Sequence, residues 1–163
     1  VTEIITQFMV SLSQSEIDIK EFAKIGNTYH VINDIERIGD HAENIIELAE
    51  ERNQKNVFIS DAAKEELAVI YGYTTMAIDT AIDSYRLNDQ VKAQSIVQLE
   101  QKIDELQKIY RETHIRHLNA GKCTALASIL FLDLLSNMER VGDHSKNIAD
   151  TITGVVDSEI HSA

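Results

Sequence analysis

The decapeptide Glu36-Arg37-Ile38-Gly39-Asp40-His41-Ala42-Glu43-Asn44-Ile45 returns 103 positions later as Glu139-Arg140-Val141-Gly142-Asp143-His144-Ser145-Lys146-Asn147-Ile148. Glu, Arg, Gly, Asp, His, Asn and Ile all recur in place, so the chain is an internal duplication and its fold must be built from two similar units. The apolar positions drifted among Ile, Val, Ala and Ser while the polar set stayed fixed. Packing alone does not demand that.

On a helix turning about 100° per residue, Ile35, Ile38, Ala42, Ile45, Ile46 and Ala49 share one arc. Met138, Val141, Ser145, Ile148, Ala149 and Ile152 repeat it, which predicts a buried face on each motif helix. Glu36, Asp40 and Asn44 stand at i, i+4 and i+8 on the opposite side, as do Glu139, Asp143 and Asn147, so each helix presents a ladder of oxygen groups away from its own core. Like charges at i, i+4 cost about 0.2–0.5 kcal/mol per pair unless a cation relieves them. Gly39 and Gly142 fall between ladder and arc inside long helical patterns, where each costs about 0.5–1 kcal/mol relative to Ala. A missing side chain there lets a neighbouring helix approach, for packing or for a site.

The 163 residues include no Pro, no Trp and six Gly, so an all-α chain of one or two compact units is predicted. Fifteen basic residues against 27 acidic ones give a net charge of −12, which argues against nucleic acid and anionic lipid and for cations or a basic partner. Cys123 is the single cysteine, so an intramolecular disulfide and a thiolate zinc cluster are excluded, and a reducing cytosolic setting is expected. The most apolar stretch, 125–135, is interrupted by Ser128 and Asp133 and reads as a buried core helix, so no direct membrane insertion is expected. The chain begins at Val1 already inside an amphipathic pattern (Ile4, Ile5, Phe8, Met9, Leu12), which is read as a fragment of a longer protein.

Start and stop signals place a helix tail from Val1 to about Leu12, a cap at 13–16, and a second helix to about Glu51, with a break at 52–56. Ser60 caps a third helix to about Arg86; Asn88-Asp89 opens a fourth to about Asn119; Ala120-Gly121-Lys122 ends it; a fifth runs to about Asp157. The duplication then defines a unit of roughly a hundred residues with three long helices, the motif on the last. Residues 57–163 make one complete three-helix repeat and residues 1–56 part of another. The expected architecture is tandem three-helix bundles with an incomplete first repeat, whose uncovered faces should drive homo-oligomer formation.

Hard cations take about six oxygen or nitrogen ligands, so one ladder is too few and a second helix should contribute. The fourth helix carries Glu100 and Asp104, again at i, i+4, beside the stripe Leu99, Ile103, Leu106 and Tyr110. Two antiparallel helices of this kind bring Glu100, Asp104, Glu139 and Asp143 around one opening. Glu36 and Asp40 have no visible partner pair. A single such pair is ordinarily a solvated face; the duplication and the third pair favour a cation site. His41 and His144 lie on the ladder's flank, as metal ligands or as structural residues. Arg37 and Arg140 pair with the ladder or hold an anion, Asp79 and Asp83 read as surface, and Tyr71, Tyr73 and Tyr85 as packing aromatics.

Enzyme templates fail: no Glu is followed at i+3 by His, and the chain has no Gly-x-Ser-x-Gly elbow, phosphate-binding glycine loop or His-Glu-x-x-His helix. A ladder on the outside of a bundle also lacks the enclosed cleft that would perturb its acidities. No enzymatic activity is expected.

The two Glu-Arg-(Ile/Val)-Gly-Asp-His segments, with Glu100-Gln101-Lys102-Ile103-Asp104, resemble the PhoU family of phosphate-transport regulators. The resemblance covers nearly the whole chain and implies tandem three-helix bundles whose Glu/Asp-x-x-x-Asp pairs hold multinuclear metal clusters. It would put Glu36 and Asp40 in one site and Glu100, Asp104, Glu139 and Asp143 in another. The metal would be iron, with zinc, manganese or nickel as substitutes. The truncated start looks similar to the cytoplasmic tail of a sodium/phosphate cotransporter, tethered at the inner membrane. Its partner would then be a phosphate transporter or its membrane portion. The alternatives are a stand-alone regulator of phosphate uptake and a metal-free helical scaffold, its ladders salt-bridged to Arg37, Arg140 and Lys146.

Overall fold

The computed structural model describes residues 2–13 and 19–154, and the side chains of all of these except 13, 19–21 and 23. Among the described residues there are five helices and no strand: α1 Thr2–Ser13, α2 Ile19–Gln54, α3 Asp61–Leu87, α4 Gln90–Asn119 and α5 Ala125–Thr153. The local signals act as physical chemistry requires. Ser60 Oγ accepts from the Ala63 amide, Asp89 Oδ1 from the Lys92 amide and Thr124 Oγ1 from the Ala127 amide, so each satisfies a donor that has no partner inside its own helix. Asn88 ends α3 in the left-handed conformation at φ 51°, and two residues then suffice to reverse the chain. The expected cap at 13–16 falls partly outside the described residues. α5 stops at Thr153, short of Asp157, because Gly154 at φ 76° turns the backbone left-handed.

α5 is the hub of the fold. It packs against α2, α3 and α4, while α3 also packs on α4 and α1 touches only α2 among the described helices. Its two sides explain why: Phe131, Leu135, Ile148 and Ala149 are fully enclosed with Ile70, Ala77 and Ala81 of α3 and Ala93, Ile96 and Ile103 of α4. The arc predicted for α5 is buried as expected, from Met138 through Val141, Ser145, Ile148 and Ala149. The matching arc on α2 is not. Ile38 and Ile45 are half-buried against the core, but Ile35 is 52 % and Ile46 60 % exposed, and Ala42 and Ala49 face outward with them. Periodicity identifies an apolar face; only a neighbouring helix buries it, and no described helix lies on that side of α2. Tyr73 and Tyr85 pack on the core as expected, whereas Tyr71 is exposed.

Candidate metal centre

The short α4–α5 turn makes these helices antiparallel neighbours, and their closest approach sits beside the acidic groups. A Cβ placed on Gly142 would lie 3.0 Å from Ile103 Cδ1, so the glycine admits the buried Ile103 of α4 against the backbone of α5. Ile103 precedes Asp104 and Gly142 precedes Asp143. The packing contact therefore draws the two carboxylates together. Oxygens of Asp104, Glu139 and Asp143 all lie within 4.8 Å of one another, with Asp104 exposed and the other two half-buried. This is the one such grouping of metal-ligating side chains among the described residues.

Crowding shows in the proton affinities. Burial, then the charges of Asp143 and Asp104, raise Glu139 above the ordinary carboxyl range, against the pull of Arg140. Burial and Asp104 raise Asp143, opposed by His144, Arg140 and Lys146. Glu100, a turn before Asp104, is raised by burial and then by Asp104, opposed by Lys146, with Asp143 and Asp150 adding repulsion. The expectation that this ladder would lie outside the bundle with ordinary acidities is thus corrected: it lies in the α4–α5 seam, where desolvation and like charge both act. Of the four residues assigned to this opening, three converge, and Glu100 stays outside the group, acted on by the charges of Asp104, Lys146, Asp143 and Asp150. Lys146 Nζ is bound to Asp150 at 2.9 Å. Asp150 was missed by sequence reasoning, although Glu47 occupies its place in the first copy and marked the position as acidic in both.

Three oxygen donors carrying mutual repulsion suit a hard di- or trivalent cation, with Glu100 at hand and water to complete the shell. The first copy differs. Glu36 and Asp40 are exposed, Gly39 has open space beside it, and Asp40 pairs with Arg37 at 3.5 Å. No third described carboxylate converges on them.

The retained His and Asn do something else. His144 Nδ1 lies 2.8 Å from Asp34 Oδ1, and Asn147 Nδ2 donates to the same oxygen at 3.2 Å. In the mirror arrangement His41 Nδ1 lies 2.9 Å from Asn137 Oδ1, to which Asn44 Nδ2 donates at 3.3 Å. The two imidazoles stack at 5.7 Å. Asn44 and Asn147 therefore leave the ladders to which their spacing assigned them and lock α2 to α5 across a local two-fold axis. Asp34 and Asn137 were missed, yet they too stand 103 positions apart, each with a side-chain oxygen that accepts, a carboxylate oxygen in one and an amide oxygen in the other. Asp83, read as plain surface, is held by Lys92 at 2.6 Å and Arg86 at 3.0 Å.

No described helix is long and apolar enough to cross a membrane. The PhoU domain model matches residues 2–49 and 69–152, which takes in both motif helices and α4. Among curated proteins the chain is similar to the phosphate-specific transport system accessory protein PhoU homolog 1 of Thermotoga maritima, 28 % identical over 124 residues that cover 74 % of this chain and 51 % of that protein. It is also similar to the PhoU homolog of Xylella fastidiosa, 25 % identical over 127 residues, 77 % of this chain and 51 % of that one. The chain thus spans about half the length of the curated relatives it matches. The crystal structure of PhoU from Pseudomonas aeruginosa superposes with a TM-score of 0.82 at 20 % identity, over 96 % of this chain and 78 % of that one, a likeness of fold. With most of its length matched by the family model and both copies of its repeated decapeptide inside the match, the chain belongs to the PhoU domain family.

Proposed function

We propose that this chain is a metal-binding regulatory domain of phosphate transport that acts by contact rather than by catalysis. The observation that carries the reading is the convergence of Asp104, Glu139 and Asp143 from two helices, with Glu100 beside them. Those residues would hold the ion, iron first and zinc, manganese or nickel in its place. A bound cation would neutralise the crowded carboxylates and tie α4 to α5. Arg140 and Lys146 limit the repulsion in its absence. Metal analysis of protein expressed in iron-supplemented medium should find at least one ion per chain, and the double change Asp104→Asn, Asp143→Asn should remove most of it. Metal content untouched by that change would overturn the ligand assignment, and absence of metal from the unaltered chain would leave a metal-free scaffold as the better reading.

Regulation of phosphate transport is supported by the names of the relatives, which are accessory proteins of phosphate-specific transport systems. In our reading the domain serves a sodium/phosphate cotransporter as its cytoplasmic tail, held at the inner membrane. An antibody against this domain should detect, in native cells, a membrane-bound band far larger than 18.3 kDa. A soluble band outside the membrane fraction would assign it instead to a separate accessory protein, like the named relatives. The uncovered faces of α1 and α2, with Ile4, Phe8, Phe22, Ile35 and Ile46 exposed, are where we place the partner contact and the self-association of the isolated chain.

A further inference from the structure

At the end of the bundle closed by the α4–α5 turn, a cavity of about 650 Å³ opens between the turn after α2, the start of α3 and the α4–α5 turn. Four side chains that can bind a soft or borderline metal line it: Glu66, His114, His117 and Cys123. The local sequence explains their meeting. His114 and His117 stand at i, i+3 on the last turns of α4, and Gly121 at φ 68° reverses the chain so that Cys123 returns over them. His114 is buried to 6 % exposure and stacked on Phe131 at 4.2 Å, nearly parallel, which fixes its ring. Its Nε2 faces Cys123 Sγ at 3.8 Å, the ring's one polar contact among the described residues.

That separation is long for a hydrogen bond from an uncharged imidazole and close to another distance. A tetrahedral zinc with Zn–S about 2.3 Å and Zn–N about 2.0–2.1 Å holds its sulfur and nitrogen roughly 3.5 Å apart. A supporting group is in place as well, since the buried Ser128 hydroxyl sits 3.3 Å from Sγ, where it can donate to a thiolate. His117 and Glu66 line the same cavity from α4 and α3. We propose that His114 and Cys123 are two ligands of a zinc site, completed by His117 and Glu66 as their side chains turn into the cavity. Zinc displaces the thiol proton to solvent and joins the end of α4 to the start of α5. The site does not depend on the carboxylate cluster, whose donors are all oxygen.

Cobalt reports it, because only thiolate ligation gives a sulfur-to-cobalt charge-transfer band. Reduced, metal-stripped chain titrated with Co²⁺ in excess Mg²⁺, which occupies oxygen sites and not thiolates, should develop that band with saturation at one equivalent and lose it on adding Zn²⁺. Cys123→Ser should abolish it, and His114→Gln and His117→Gln should each weaken Co²⁺ binding by about tenfold or more. Zinc should also shield Cys123 from alkylation in the unaltered chain. Absence of the band, or Co²⁺ affinity unchanged in His117→Gln with Cys123 still alkylated at the free rate in zinc, would overturn the proposal. The second pair of readouts stands even where His114→Gln fails to fold.

Discussion

Gly39 and Gly142 hold the same place in a repeated decapeptide, and one faces open space while the other is pressed against Ile103. The contrast runs along both helices. Ile35 and Ile46 are exposed where Met138 and Ala149 are buried, and Asp40 is held by its own Arg37 where Asp143 meets Asp104. The carboxylate cluster is thus a property of two helices and not of the motif. A Glu-x-x-x-Asp ladder gains crowded oxygens, desolvation and raised proton affinity only when a second ladder is drawn against it by close packing.

The sharpest way to break the comparison is metal binding. Asp143→Asn should lower iron content more than twofold, and Asp40→Asn should leave it nearly unchanged, as read by elemental analysis of protein from iron-supplemented medium. An equal loss from Asp40→Asn would mean that ligands outside the described residues complete the first copy. Core truncation should follow the same division: Ile148→Ala removes an enclosed side chain and should cost about 2–5 kcal/mol in denaturant unfolding, whereas the half-buried Ile45→Ala should cost roughly 1 kcal/mol.

The glycines should respond with opposite signs. Gly39→Ala relieves a helix-interior glycine in open space and should stabilise by about 0.5–1 kcal/mol. Gly142→Ala must displace Ile103 within a filled core and should destabilise by roughly 1 kcal/mol net. Equal stabilisation by both would mean that α4 and α5 have room to part.

The smallest effect is the pH dependence of the metal-free chain. Glu100, Glu139 and Asp143 have folded-state proton affinities above their unfolded ones. Their protonation therefore favours the folded state, a contribution complete below about pH 4 and lost as pH rises through the raised values. Melting temperature should rise modestly on acidification from about pH 7 toward pH 5, and less in Glu139→Gln, Asp143→Asn. A saturating divalent cation should abolish the slope.

The positions of α3, α4 and α5 were legible because caps, turns and periodicity are local. Ser60, Asp89 and the α4–α5 turn act through hydrogen bonds within a few residues. That Asp104 would meet Glu139 and Asp143 was legible because the duplication and the spacing on α4 agreed, whereas Glu100, assigned with them, stays outside the group. What the sequence withheld was which flank of each motif helix meets which neighbour. Asn44 and Asn147 lie on the same wheel sector as the acids, and only the crossing of α2 with α5 sends them to Asn137 and Asp34. Burial of Glu139 and Asp143 likewise depends on how closely α4 comes, a distance set by Ile103 and Gly142 together.

Two identical chains meeting across a two-fold axis must present the same residue on both sides of their seam. Asp34 and Asn137 hold equivalent places in the α2–α5 seam and differ in charge, one beside His144 and the other beside His41. A single polypeptide permits this, since each half is encoded separately and always finds its proper counterpart. The chain behaves as a heterodimer tethered to itself, free to let its halves diverge in chemistry while the stacked imidazoles preserve the geometry of their common ancestor.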